Sequence, residues 1–348
     1  MSRPSRTLLV ANPTAKSGRA KRYIDDALAV LEDTDLEPEF FATLPAGATV
    51  AELAKRLETE DVARVVYMGG DGTFAEAAKA IILARERTGV DVPLGMLPMG
   101  TANDQGRSFG IVAGVRALRK NVDIIAAGVE MWLDVGRIEA LDGEGTVVRQ
   151  DLWFDSCGIG LSAQILAQRN REREWVEKVP LLRRVYRDKL VYTSTTLRSL
   201  LRGAIVRKNF ACEIVVDDQT LECESVTDIL VQGTPIYAGD WIFAPDGRPD
   251  DGKFEVVVLR GHADWAAAAI GGHKRNPVTT DDLEVMGLPR RVVPSGAHID
   301  IKLTPGNGKR RSVHAQIDGE EFLAADHYRI ENLFHHLRII VPEGAHWV

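Results

Sequence analysis

Val62-Ala63-Arg64-Val65-Val66-Tyr67-Met68-Gly69-Gly70-Asp71-Gly72-Thr73-Phe74 decides the fold of this 348-residue chain. A short run rich in β-branched residues breaks at two glycines and passes into Phe74–Arg85, whose composition suits a helix. The same design recurs on either side. Thr7-Leu8-Leu9-Val10-Ala11 runs into Asn12-Pro13 and on to Gly18, and Pro93–Leu97 runs into Pro98-Met99-Gly100-Thr101-Ala102-Asn103-Asp104. Arg19–Glu32, with Tyr23, Ile24, Ala27, Leu28 and Leu31 at helical spacing, and Thr49–Leu57 supply further helices. Strands alternating with helices predict an α/β domain over residues 1–131, built on a mostly parallel sheet.

In such a sheet the loops gather at the carboxyl ends of the strands, where ligands bind. Glycines let backbone N–H groups approach a phosphate, and each following helix presents its positive end to it. Three converging loops therefore read as a cradle for nucleotide phosphates. Thr73 can cap its helix or bond a phosphate. Asp71 beside a phosphate is repulsive unless a cation intervenes, which points to Mg²⁺. No Gly-x-x-x-x-Gly-Lys-Ser/Thr occurs, so a P-loop is excluded. Gly158-Ile159-Gly160-Leu161-Ser162-Ala163 fits the dinucleotide fingerprint in letters, but it opens a β-rich region and lacks the strand and acid that should follow.

From Trp132 the pattern changes. Trp132–Ile138, Val147–Phe154, Ala211–Val216, Asp228–Gln232, Phe254–Leu259 and Ile299–Leu303 are short β-rich runs between turn signals, interrupted by one helix at about 175–201. They predict an antiparallel β-sandwich over residues 132–322, with the tail 323–348 returning to the first domain.

Apolar content of 45% and charged content of 27% suit an ordinary globular chain. No apolar run reaches the roughly 20 residues of a membrane-spanning helix, and no apolar signal segment precedes the first strand. Three cysteines without metal-like spacing suggest a reducing, cytoplasmic setting. The net charge of −7 argues against a general nucleic-acid binder.

Asn12-Pro13…Gly18, Gly69-Gly70-Asp71-Gly72-Thr73 and Pro98…Gly100-Thr101-Ala102-Asn103-Asp104, in that order, resemble the diacylglycerol kinase catalytic family, related to sphingosine and ceramide kinases. The likeness continues through Cys157-Gly158-Ile159-Gly160, Tyr237-Ala238-Gly239-Asp240…Ala244-Pro245…Asp250-Asp251-Gly252 and Ile317-Asp318-Gly319-Glu320. It implies an ATP- and Mg²⁺-dependent lipid kinase of phospholipid metabolism, with the active site between the two domains. Gly69, Gly70, Asp71, Gly72, Thr73, Gly100, Thr101 and Asn103 would hold the ATP phosphates, and Asn12 would help to shape the nucleotide site. Asp318 would be the general base and Glu320 would orient it, while Asp71 and Asp251 would be metal ligands. By themselves Asp318-Gly319 and Asp251-Gly252 read as turns; the resemblance alone gives them chemistry.

Ala75, Ser162 and Gln232 stand where the family usually carries Asn, Asp and Asn, which leaves the acceptor open. A soluble NAD kinase-like enzyme and a non-catalytic binding relative are the competing readings. Arg183–Lys208 holds eight basic residues and one acid among apolar positions, suited to a lipid surface. Gly272–Pro277 is a second basic loop. Peripheral membrane association, a lipid substrate and no nucleic-acid partner are therefore expected, and an exposed sandwich edge offers a route to a homodimer.

Overall fold

A computed structural model describes residues 6–15, 20–177, 209–237, 244, 247–260, 294–304 and 313–345. The first part runs β1 (Arg6–Ala11), α1 (Ala20–Glu32), β2 (Glu37–Ala42), α2 (Ala48–Thr59), β3 (Arg64–Gly69), α3 (Asp71–Thr88), β4 (Leu94–Pro98), α4 (Asp104–Ser108) and α5 (Leu118–Ala127). Its strands lie parallel in the order β2-β1-β3-β4.

Strand alternation sorts the core into two layers. Leu8, Val10, Val65, Tyr67, Leu94 and Met96 face α2 and α3, meeting Leu53, Leu57, Phe74 and Ile81. Leu9, Ala11, Val66, Met68 and Leu97 face α1 and α5, meeting Ile24, Leu31, Val122 and Ile125. Burial on both faces is why these strands read as unbroken apolar runs.

The second part contains β5 (Glu130–Leu141), β6 (Val147–Trp153), β7 (Ser156–Gly160), α6 (Leu161–Glu177), β8 (Phe210–Val216), β9 (Gln219–Val226), β10 (Asp228–Gln232), β11 (Phe254–Leu259), β12 (Ser295–Gly296), β13 (His298–Thr304), β14 (Val313–Ile317), β15 (Glu320–Ala325) and β16 (His327–Ile340). One antiparallel sheet has the order β12-β11-β10-β7-β14-β15. It packs against β5, β6, β8, β13 and β16 over a core that includes Trp153, Ile159, Phe210, Ile229, Val231, Phe254, Ile301 and Tyr328. Trp153 and Phe254 are in ring contact at 4.5 Å. The buried Tyr328 hydroxyl donates to Leu323 O at 3.0 Å and accepts the Ala325 N–H at 2.6 Å, so its polar tip is satisfied. The expected pairing of a parallel α/β sheet with an antiparallel sandwich is the observed fold class.

β16 joins the two parts. It pairs antiparallel with β5 from His327–Leu141 to Ile340–Glu130, and Ile339 then lies parallel to Leu94 of β4. A register shift between Leu333 and Leu337 holds His335 at a φ of 48°. Because of this strand the parallel sheet and one layer of the sandwich are a single sheet of 10 strands among the described residues. The helix expected at about 175–201 overlaps the described residues only at the end of α6, which starts at Leu161. The basic stretch Arg183–Lys208, Gly18 and the loop Gly272–Pro277 lie outside the described residues. Among those described, no helix is long and apolar enough to cross a membrane.

Gly136 on β5 faces the Trp153 ring so closely that a Cβ there would sit 2.0 Å from Cε2. Gly136→Ala is expected to destabilise the protein by about 1–3 kcal/mol or more through overpacking. Denaturant unfolding of the two proteins measures it.

Candidate active site

The β3 and β4 loops are built against each other. Met99 and Gly100 N–H both donate to Gly69 O, at 2.6 and 3.0 Å. A Cβ on Gly100 would fall 2.5 Å from the Gly70 Cα, and one on Gly69 would fall 2.5 Å from Thr73 Oγ1. Both glycines are thus required by close approach. Asn103 takes a left-handed φ of 55°, and its Oδ1 accepts the Gly100 N–H at 2.7 Å. Gly72 is exposed with no atom near the place a Cβ would take, and Thr101 is exposed too. Asn12 Oδ1 accepts the N–H and hydroxyl of Thr14 at 2.9 and 2.8 Å, which forms the β1 turn. A cavity of about 180 Å³ is lined by Asn12, Tyr23, Gly69, Gly70, Thr73 and Gly100, among others. The three loops therefore do converge.

Asp71 turns from this cavity toward α4. Its Oδ2 accepts the Asn103 N–H at 3.0 Å, while Oδ1 is buried without a hydrogen-bond partner. Burial pushes its carboxyl above the usual range, partly offset by N–H groups at the start of α4.

Asp318 and Gly319 occupy the hairpin between β14 and β15 with φ of 47° and 77°. That is the backbone a tight two-residue hairpin demands. The turn carries the Asp318 carboxylate to the link between β6 and β7. Oδ1 accepts the N–H groups of Phe154, Asp155 and Ser156 at 3.1, 2.8 and 3.2 Å, and Oδ2 shares the Phe154 N–H at 3.0 Å. Burial raises the Asp318 carboxyl to about 6 against the pull of these N–H groups and of Lys79. Lys79 reaches across from α3 to bond Asp151 at 2.6 Å.

Asp155 is a functional candidate that the sequence reading missed. It is 5% exposed and accepts the hydroxyls of Thr234 and Ser156. Burial, and then the neighbouring carboxylates of Asp104, Asp318 and Asp71, hold its carboxyl well above the ordinary range. Carboxylates from both parts of the chain thus lie within electrostatic reach of Asp155. Asp155 lies in a β-rich run with no motif to mark it; the clue would have been an acid within an apolar strand pair.

Two expected roles find no support in the geometry. Glu320 is exposed at the start of β15 and makes no hydrogen bond to Asp318 among the described residues; backbone N–H groups orient Asp318 instead. Asp251 is exposed, and its Oδ1 accepts the Lys253 N–H at 3.1 Å, closing a local turn. Its loop is docked without it, since Asp134 accepts the N–H groups of Gly252 and His335 at 2.6 and 2.9 Å. No three His, Cys, Asp or Glu side chains among the described residues are arranged to hold a metal ion. Of Tyr237–Pro245, only Tyr237 and Ala244 are described, both buried.

Comparison with known proteins agrees with this architecture. Residues 6–138 match the family model described as diacylglycerol kinase catalytic domain, so the resemblance read from the motifs is borne out. A diacylglycerol kinase of Staphylococcus carnosus (strain TM300) is 31% identical over 135 residues, 39% of this chain and 42% of that protein. One from Staphylococcus aureus (strain MRSA252) is 32% identical over 133 residues, 38% of this chain and 40% of that protein. The aligned stretch thus spans about two fifths of these relatives. The crystal structure of a diacylglycerol kinase from Bacillus anthracis str. Sterne shares the fold, with TM-score 0.67 and 19% identity over 98% of each chain. A yeast NADH kinase complexed with NADH has TM-score 0.51 and 11% identity, covering 99% of this chain and 82% of its own. At those identities the two structures share the fold alone.

Gly100→Ala is expected to force the β3 and β4 loops apart and lower the melting temperature. Gly72→Ala, in open space at the start of a helix, is expected to leave it unchanged or slightly raised. Thermal melts of the two variants side by side measure the contrast.

Proposed function

We propose that this chain is an ATP- and Mg²⁺-dependent lipid kinase that transfers the γ-phosphoryl group of ATP to a hydroxyl of a lipid such as diacylglycerol. The observation that carries the reading is the Asp318 carboxylate. It is raised to about 6 and fixed by three consecutive N–H groups, with Oδ2 left the less engaged oxygen. A carboxylate of that basicity is a better proton acceptor than an ordinary one, yet is still ionised at neutral pH. Asp155, one of the residues whose N–H groups hold it, lies within electrostatic reach of Asp318, Asp71 and Asp104.

In this reading Gly69–Thr73, Gly100, Thr101 and Asn103 form the phosphate cradle, with Asn12 at its rim. The lipid hydroxyl gives its proton to Asp318 as its oxygen bonds to the γ-phosphorus. The bond from that phosphorus to the β–γ bridging oxygen breaks, and ADP leaves with the electron pair. Protein groups have little covalent work in such a transfer; positioning and charge stabilisation dominate. Mg²⁺ would neutralise phosphate charge. Asp71 Oδ1, a buried oxygen without a hydrogen-bond partner, fits an ion that commonly takes one or two carboxylates plus phosphate oxygens. Asp251, committed to its own turn, does not fit. The basic run Arg183–Lys208 supports contact with an anionic cytoplasmic membrane surface.

Transfer of labelled phosphate from ATP to lipids in mixed micelles tests the reading. Asp318→Asn is expected to abolish product while ATP binding persists. Product at the wild-type rate would remove Asp318 from the mechanism. Phosphorylation of NAD or NADH in the absence of lipid would favour the soluble-kinase reading, which the fold shared with the yeast NADH kinase keeps in play.

Two pH effects follow from the raised Asp318 carboxyl. The rate is expected to fall as pH drops through about 6, where the base becomes protonated. A carboxyl raised in the folded state also costs stability once pH exceeds its unfolded value, and the cost is complete above about 6. Asp318→Asn is therefore expected to gain more in melting temperature, relative to wild type, at pH 8 than at pH 4. Melting curves at the two pH values decide it.

A further inference from the structure

We infer that Gln232 reads the acceptor, and that this site takes lipids carrying a second hydroxyl beside the one phosphorylated. The inference rests on the kinase reading above. Along β10, Ile229 and Val231 enter the sandwich core, so Asp228, Leu230 and Gln232 line the opposite face. Gln232 stands directly across from Ser156 of β7. Directly paired side chains share a face, with Cβ atoms about 4.5–5.5 Å apart. Ser156 is one of the three residues whose N–H groups hold the Asp318 carboxylate, and its carbonyl accepts the Asp318 N–H at 2.9 Å. Only one strand separates Gln232 from the candidate base.

The Gln232 side chain is 2% exposed, yet neither Oε1 nor Nε2 has a hydrogen-bond partner. Native proteins rarely leave a whole carboxamide unsatisfied, since a buried polar group without a partner forfeits its hydration with nothing in return. Its backbone neighbours are well satisfied: Gly233 N–H donates to Asp155 O at 2.9 Å, and the Thr234 hydroxyl donates to the Asp155 carboxylate. Further along the same face of β7, the space beside Gly158 is taken by Ser162 and Gln316 and that beside Gly160 by Thr227 and Asp228, none of which bonds the Gln232 amide. Gln105 of α4 is 1% exposed, and its amide also lacks partners. Two buried carboxamides, Gln232 across from Ser156 and Gln105 next to Asp104, therefore carry hydrogen-bonding capacity that no described protein group uses.

The chemistry of the missing partner follows from the amide. Nε2 needs an acceptor and Oε1 needs a donor. In diacylglycerol the one donor is the reacting hydroxyl, whose proton goes to Asp318, and every other oxygen only accepts. Such a molecule leaves Oε1 unpaired. A second hydroxyl both donates and accepts, and so serves Oε1 and one N–H of Nε2 together. A monoacylglycerol meets this requirement, whereas a diacylglycerol does not.

The test compares 1-monoacylglycerol with 1,2-diacylglycerol of the same acyl chain in mixed micelles, using the full chain with ATP and Mg²⁺. Wild type is expected to favour the monoacylglycerol in kcat/KM by about tenfold or more, because a site built to hydrogen-bond a hydroxyl rejects the analogue that lacks it. Gln232→Met, of similar volume without the amide, is expected to bring the ratio close to one, mainly by lowering turnover of the monoacylglycerol. Equal use of the two lipids by wild type, or preference for diacylglycerol, overturns the inference however the variant folds, and leaves the kinase reading standing. An unchanged ratio in the variant with a lowered melting temperature also overturns it, since the amide would then serve only the fold through buried water. Phosphorylation of neither lipid removes the kinase reading and this inference together.

Discussion

A carboxylate taken out of water must find compensation, and the arrangement around Asp318 turns that requirement into chemistry. Full ionisation in an apolar setting would be costly. Three backbone N–H groups in a row recover part of the loss and leave the carboxyl at about 6. Those N–H groups are free to do so because Phe154 and Asp155 form the crossing from β6 to β7, and Ser156, the first residue of β7, lies beyond Cys157, where the pairing with β14 ends. The hairpin that carries Asp318 needs two residues at positive φ, and Asp318-Gly319 supplies them. Site geometry and turn geometry are one constraint.

The loops after β3 and β4 obey a similar economy of space. Gly69 O accepts two N–H groups from the neighbouring loop, and Gly100 rests on Gly70. Asp71 commits one carboxylate oxygen, Oδ2, to the Asn103 N–H at the entry to α4. Such packing keeps the two loops in fixed register, and a cradle for phosphate needs that more than it needs charge.

Much of this was legible in the sequence. β-rich runs between turn signals gave β10 and β11 their observed bounds, and helical spacing gave α1 to within a residue. The turn chemistry of Gly69–Thr73 and Gly100–Asn103 marked two loops that the fold packs against each other. What escaped was non-local. Asp155 carries no motif, and its role depends on Asp104, Asp318 and Thr234, which are distant in the chain. Glu320 follows Asp318 closely in sequence, yet strand geometry leaves it in solvent. Asp251 matched a motif, but a local turn claims its carboxylate while Asp134 docks its loop. Motifs give residue types; which atoms are already spoken for is settled only by the fold.

The strand β16 has a consequence for modularity. It lies against β5 and β13 of the sandwich and ends beside β4 of the parallel sheet. The two parts therefore cannot be interchanged like beads on a string. A version of the first part expressed alone would lose Leu337, Ile339 and Val341 from its own core layer, along with the partner strand at the edge of β4. Exchange of acceptor preference between relatives by recombination would have to respect this seam. Substitution within loops and single strand positions is the easier path for change.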